Sequence, residues 1–248
     1  MISFHEVHKN YSIFDRDVHA LRGVTTDIAR GDLTFILGVS GSGKSTLLHL
    51  AGALDRPTAG RVEFDGRDLT TLDPIERAHL RRKRIGFVFQ SGNLLPQLTA
   101  LDNVLIARIP SGISSSDRQR ARDLLKRVGL EDRIHHRPRQ LSGGEAQRVA
   151  FARAFLGQPE VVLADEPTGE LDTESGQQLM TMLGELRAEE GTTVVIVTHD
   201  LSLPGPGHRI LSLSDGKILS DERIGENGPT PSPKIATARP LSSEEFQT

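Results

Sequence analysis

The sequence contains no cysteine. Disulfides, thiolate-bound zinc and a cysteine nucleophile are therefore excluded. It also lacks a marked excess of either charge, because 30 Lys and Arg against 33 Asp and Glu leave a formal charge of -3. A dedicated nucleic-acid binder carries a basic surplus, so no nucleic-acid partner is expected. No stretch approaches the roughly 20 apolar residues that a membrane-crossing helix needs. The start, Met1 to Glu6, has neither the basic opening nor the apolar run of a secretory signal. The expectation is a cytoplasmic chain that meets a membrane only through partners. Neither an internal repeat nor a heptad pattern is present, so the chain carries one copy of whatever it does.

Apolar residues make up 36% and charged residues 25% of 248 positions, which suits one globular domain with an inserted or appended part. Short apolar alternations at Ile2, Phe4 and Val7, and again at Val24 and Ile28, predict antiparallel strands up to a Gly31-Asp32 turn. Four continuous apolar runs follow: Leu33 to Leu37, Ile85 to Phe89, Val161 to Ala164 and Val194 to Val197. Such runs fit strands buried on both faces, as in a parallel sheet. With helical stretches between them, the fold class is α/β. Asp117 to Val128 and Ser142 to Phe155 read as amphipathic helices, and the stretch from Gln90 to Leu141 as a helical subdomain inserted between two strands. Ile210 to Leu219 alternates around Asp215-Gly216, a hairpin signal. Residues 225–248 are rich in Pro, Ser and Thr and are expected to be a disordered tail.

Gly38-Val39-Ser40-Gly41-Ser42-Gly43-Lys44-Ser45-Thr46 matches G-x-x-x-x-G-K-[ST] between a predicted strand and the apolar helical stretch Leu47 to Leu54. Glycines let the backbone curl so that successive N–H groups converge on phosphate oxygens, and the helix amino terminus adds positive potential. Lys44 would reach the β- and γ-phosphates and the Ser45 hydroxyl would hold Mg²⁺. Downstream, Val161 to Ala164 leads into Asp165-Glu166. Carboxylates at the carboxyl end of a strand lie where α/β sheets place ligands. Asp165 is assigned to the Mg²⁺ shell, and Glu166 to accepting a proton from, or orienting, the attacking water.

Leu141-Ser142-Gly143-Gly144-Glu145 reads in the first place as a helix capping box. Two adjacent glycines weaken a helix start, however, and make sense where a backbone must approach something closely. With Gln147 and Arg148 following, the segment resembles the signature motif of the ATP-binding cassette (ABC) family. The resemblance covers about residues 2 to 224, taken as a nucleotide-binding domain of P-loop type with its helical insertion at about 91–155. It looks closest to the branch of lipoprotein-release, macrolide-efflux and cell-division ATPases. The residues behind that are Phe87-Val88-Phe89-Gln90, Asn93-Leu94-Leu95-Pro96 and Leu163 to Gly169.

The resemblance implies further roles. Gln90 matches a glutamine that serves catalysis and the metal, Asp172 the aspartate of the D-loop, and His199 the histidine of the switch. Tyr11, the only tyrosine, sits where the family places an aromatic under adenine. Ser142, Gly143 and Gly144 would cover ATP held by the phosphate loop of a second ATP-binding subunit. Transmembrane permease subunits would be the other partners, holding the protein on the inner face of the membrane. The cargo would be lipophilic or lipoprotein-like, moved outward. The alternatives are a regulatory ATPase that controls an envelope partner without cargo, a soluble cassette acting on ribosomes or DNA, and an unrelated P-loop enzyme such as a kinase. Two positions depart from the pattern: Glu170 brings a charge into the D-loop, and Pro204-Gly205-Pro206-Gly207 disfavours a helix after His199. Arg81 to Arg84 is expected to be a solvated helix face.

Overall fold

The computed structural model describes residues 1–13 and 16–225; the tail expected from 225 therefore lies almost wholly outside the described residues. Strands β1 (Ile2–Ile13) and β2 (Arg16–Ile28) pair antiparallel, and β3 is Leu33–Leu37. Helix α1 (Lys44–Ala51) is followed by β4 (Ala59–Phe64), β5 (Arg67–Asp68), α2 (Pro74–Arg84) and β6 (Ile85–Val88). Three helices, α3 (Ala100–Leu105), α4 (Ser115–Arg127) and α5 (Gly143–Phe155), come between β6 and β7 (Val161–Asp165). The described residues close with α6 (Thr173–Glu190), β8 (Thr193–Thr198), β9 (Arg209–Ser214) and β10 (Lys217–Arg223).

Two sheets result. One has the order β2-β1-β4-β5 and the other β10-β9-β3-β8-β7-β6, in which only β10 runs antiparallel to its neighbour. Strands β3 and β8 are buried at every residue because both faces of the second sheet are covered. Alternate residues go to opposite faces. Ile36, Val195, Leu163 and Leu211 pack with α1 and the smaller sheet. Phe35, Ile196, Ala164 and Ile210 pack with the helices from α3 to α6.

Several boundaries differ from expectation, each for a local reason. α1 begins at Lys44, three residues before Leu47, because Gly43 (φ 102°) ends the loop and the free amides of the first turn follow at once. α4 begins at Ser115, with Ser114 capping the amide of Asp117. The Arg81–Arg84 run is only partly a solvated face. Arg81 donates to the carbonyl of Ala53, and Arg84 binds Asp65 and Glu160. No helix forms among residues 199–208.

Candidate functional site

Strands β3, β7 and β8 are neighbours, and their carboxyl ends bring together residues far apart in the chain. The loop Gly38–Gly43 crosses from β3 to α1 with Gly41 and Gly43 at positive φ. A side chain at Gly43 would also place its Cβ 2.4 Å from the carbonyl oxygen of Ala20. Lys44 Nζ donates to the carbonyls of Gly38 and Val39, each at 2.9 Å, so the buried ammonium is held by the loop itself. Burial pushes its pKa down, against the pull of Glu166 and Asp165. Ser42 Oγ is buried with no partner among the described residues, while Ser40 and Gly41 form the exposed rim. A loop with a desolvated cation and an orphan hydroxyl fits an anion of phosphate type.

Ser45 Oγ donates to Asp165 Oδ1 at 3.0 Å. Burial raises the pKa of Asp165, and the Ser45 bond opposes that rise. Among the described residues no cluster of three or more His, Cys, Asp or Glu could hold a metal alone. Hydroxyl, carboxylate and carboxamide oxygens fit Mg²⁺, which is normally bound by one or two protein groups together with phosphates and water. Glu166 takes the left-handed conformation (φ 46°), with its amide bonded to the carbonyl of Val197 at 2.8 Å. Strained backbone of this kind clusters at functional positions. It turns the carboxylate so that Oε2 lies 3.0 Å from His199 Nδ1. Gln90 follows β6, and its Nε2 lies 3.3 Å from where a Cβ on Gly169 would be, so the turn after Glu166 packs against it.

Tyr11 lies on β1 beside α1. Its hydroxyl donates to Asp55 Oδ2 at 2.9 Å, and burial, with Asp55, raises its pKa while Thr46 opposes. Lys9 Nζ binds Asp55 Oδ1 at 2.7 Å and lies 4.7 Å from the centre of the Tyr11 ring. Lys9 and Asp55 were not singled out from sequence, because they lie 46 positions apart and belong to no contiguous motif.

Ser142 caps α5, and Ser142 and Glu145 satisfy each other's amides at 2.7 and 3.2 Å. The capping box is therefore real. It does not explain the glycines. A Cβ on Gly143 or Gly144 would meet no atom closer than 3.8 Å, and neither has positive φ. Their nearest neighbours are Glu170, Leu171 and Ser175, where Asp172 caps α6 through the amide and hydroxyl of Ser175. The expected residues thus fall into two groups. Gly38–Thr46, Asp165, Glu166, His199 and Gln90 gather at the strand ends, with Tyr11 at the side. Ser142–Gly144 and Asp172 form a second patch at the starts of α5 and α6.

A family profile described as ABC transporter matches residues 21–169. An uncharacterized ABC transporter ATP-binding protein of Thermotoga maritima is 48% identical over 221 residues, covering 89% of this chain and 94% of that protein. The macrolide export ATP-binding/permease protein MacB of Bartonella henselae is 49% identical over 205 residues, covering 82% of this chain and 31% of MacB. Across the MacB relatives the chain spans between 31% and 41% of their length. The dimeric, post-hydrolysis structure of the ATP-binding cassette MJ0796 bound to ADP and Pi superposes with a TM-score of 0.83 at 42% identity, over 90% of this chain and 99% of that one.

Proposed function

The chain belongs to the ABC transporter family of ATP-binding proteins, and from that premise we propose that it is the ATP-hydrolysing engine of a transporter. Two such subunits close on two ATP molecules and pass the closure to membrane-spanning permease subunits. The observation that carries this reading is the Lys44 ammonium, buried on backbone carbonyls beside Ser45, Asp165 and Glu166. Backbone amides of the loop and Lys44 bind the phosphates, and Tyr11 stacks on the base. Ser45, Asp165 and Gln90 would hold Mg²⁺, which would screen the phosphate charge when bound. Glu166 receives the proton of the attacking water, and His199 holds the Glu166 carboxylate in place.

The free surface over Gly143 and Gly144 supports a ligand that comes from outside the chain. ATP bound to the phosphate loop of a partner subunit fits that requirement. The dimeric state of MJ0796 supports the same arrangement. Removing the γ-phosphate by hydrolysis then releases the clamp.

A groove of about 700 Å³ supports the permease as second partner. It runs between α2, β6 and the segment after α3, with Leu54, Ile75 and Phe89 in its lining together with Arg82 and Lys83. No carboxylate lines it among the described residues. Leu54, Ile75 and the neighbouring Ile109 are exposed, so the area suits an amphipathic segment with acidic flanks. The macrolide export named for the MacB relatives supports outward movement, and the cargo we assign to it is lipophilic or lipoprotein-like.

The deciding experiment is size-exclusion light scattering of Glu166→Gln with and without ATP. Dimer is expected only with ATP, and turnover is expected to fall about 10²- to 10⁴-fold. Wild-type turnover in this variant would refute the role of Glu166, and a monomer under all conditions would refute self-pairing.

A further inference from the structure

The loop that carries Gln90 is fastened to α5 at three backbone carbonyls. Gln147 Nε2 donates to the carbonyl of Phe89 at 3.1 Å. Arg153 donates to the carbonyls of Gly92 (2.6 Å) and Asn93 (2.9 Å). One bond precedes Gln90 and two follow it, so the glutamine is straddled. Gly92 and Asn93 both have positive φ (66° and 47°), a left-handed turn that glycine and asparagine accept most readily. A Cβ on Gly92 would lie 3.1 Å from Gln147 Oε1, so α5 and the loop fit closely. Gln147 is buried, and Arg153 has no carboxylate partner among the described residues. Burial lowers the pKa of Arg153, as expected of a cation committed to carbonyl acceptors.

The other end of α5 is Ser142 and the glycine pair. A helix of 13 residues is a stiff rod about 20 Å long. We propose that Gln147 and Arg153 are positioning residues that lock Gln90 to α5, so that engagement of the Ser142 end is delivered to Gln90 in the same subunit. This rests on the reading of Gln90 as a metal and catalytic residue given above. The device works by rigid movement. When α5 shifts under a nucleotide held by the partner subunit, the Phe89 and Gly92-Asn93 carbonyls follow, and Gln90 between them is carried toward or away from Ser45 and Asp165.

The test compares Arg153→Met, Gln147→Met and Arg153→Lys with Gln90→Ala, using Mg²⁺ and ATP as the only ligands. Both methionine variants keep side-chain bulk and remove the N–H donors. They are expected to lower kcat about tenfold to hundredfold, with KM for ATP within about twofold. The Mg²⁺ concentration for half-maximal turnover should rise, and Arg153→Lys should restore part of kcat. Added to Gln90→Ala, Arg153→Met should cost nothing further. Amide hydrogen exchange is the readout independent of turnover. In the Glu166→Gln background, ATP should slow exchange at residues 91–94, and Gln147→Met or Arg153→Met should abolish that slowing while leaving β8 protected. Effects that multiply with Gln90→Ala, or an unchanged Mg²⁺ requirement with exchange raised throughout, would overturn the proposal and leave the site reading standing. If Gln90→Ala itself changes neither turnover nor Mg²⁺ dependence, the reading of Gln90 falls and the proposal with it.

Discussion

Among the described residues Lys44 has only backbone oxygens as hydrogen-bond acceptors, and burial disfavours its charge. In the nucleotide-free protein it is therefore a cost to stability rather than a support. Lys44→Met is expected to keep or raise the melting temperature without nucleotide. It is also expected to remove the stabilisation by ATP, which at a hundredfold excess over Kd is about 2.7 kcal/mol for a competent site. Thermal scans with and without ATP check both halves. The phosphate loop is the part of the site most legible in sequence, because nine consecutive residues make it and glycine marks where the chain must turn. The Ser45–Asp165 bond, across 120 positions, was expected only as a shared metal role. The left-handed conformation of Glu166, whose amide pairs with the carbonyl of Val197 on β8, had no signal in the sequence.

At the scale of elements, caps explain where helices start. The side chains of Ser142, Ser114 and Asp73 each accept a bond from the amide three residues on, and the backbone amide of each donates one back to the carboxylate at that position, Glu145, Asp117 and Glu76. The Asp73–Glu76 box was missed because the α2 sequence is so basic that it reads first as surface charge. Asp73→Ala is expected to cost about 1 kcal/mol of stability, a fall of roughly 2–4 °C in Tm, with ATP turnover of the isolated protein unchanged. Circular dichroism melting checks the first and an ATPase assay the second. β4 and β5 were likewise not read as strands. Three of the six β4 residues are exposed, so the apolar alternation that marks a strand is weak there.

Across the whole molecule, the two sheets are clasped at the end away from the phosphate loop. Arg84, closing α2, binds Glu160 before β7 and Asp65 in the turn after β4. Arg30, before β3, binds the same two carboxylates at 2.7 Å each. Arg84 also stacks 4.5 Å from the centre of the Phe64 ring. The Arg84 and Arg30 bonds hold the Glu160 pKa down to about 2. A carboxylate with a depressed pKa adds stability above its ordinary value and loses it as the pH falls through the depressed one. The clasp should therefore be intact above about pH 4.5 and fail toward pH 2. Arg84→Met should lower Tm at neutral pH and flatten its dependence between about pH 4.5 and 2, as melting across that range would show. A parallel fall of wild type and variant would deny the clasp its part.

The sequence by itself determined what can be written in neighbouring residues. Glycine spacing sets the phosphate loop, continuous apolar runs set strands buried on two faces, and the capping box sets the start of α5. The family resemblance added roles for Tyr11, Gln90, Asp172 and His199, of which Gln90 and His199 follow recognisable apolar runs. Only the tertiary structure decided the strand order, which places β8 between β3 and β7 and so brings Lys44, Asp165, Glu166 and His199 to one edge. It alone decided that Lys9 and Asp55 brace Tyr11, and that Gln147 and Arg153 grip the loop of Gln90. The physical reason is range. Local backbone preference acts over a few residues, whereas these side-chain contacts span between 44 and 61 positions and exist only once packing has chosen which elements touch.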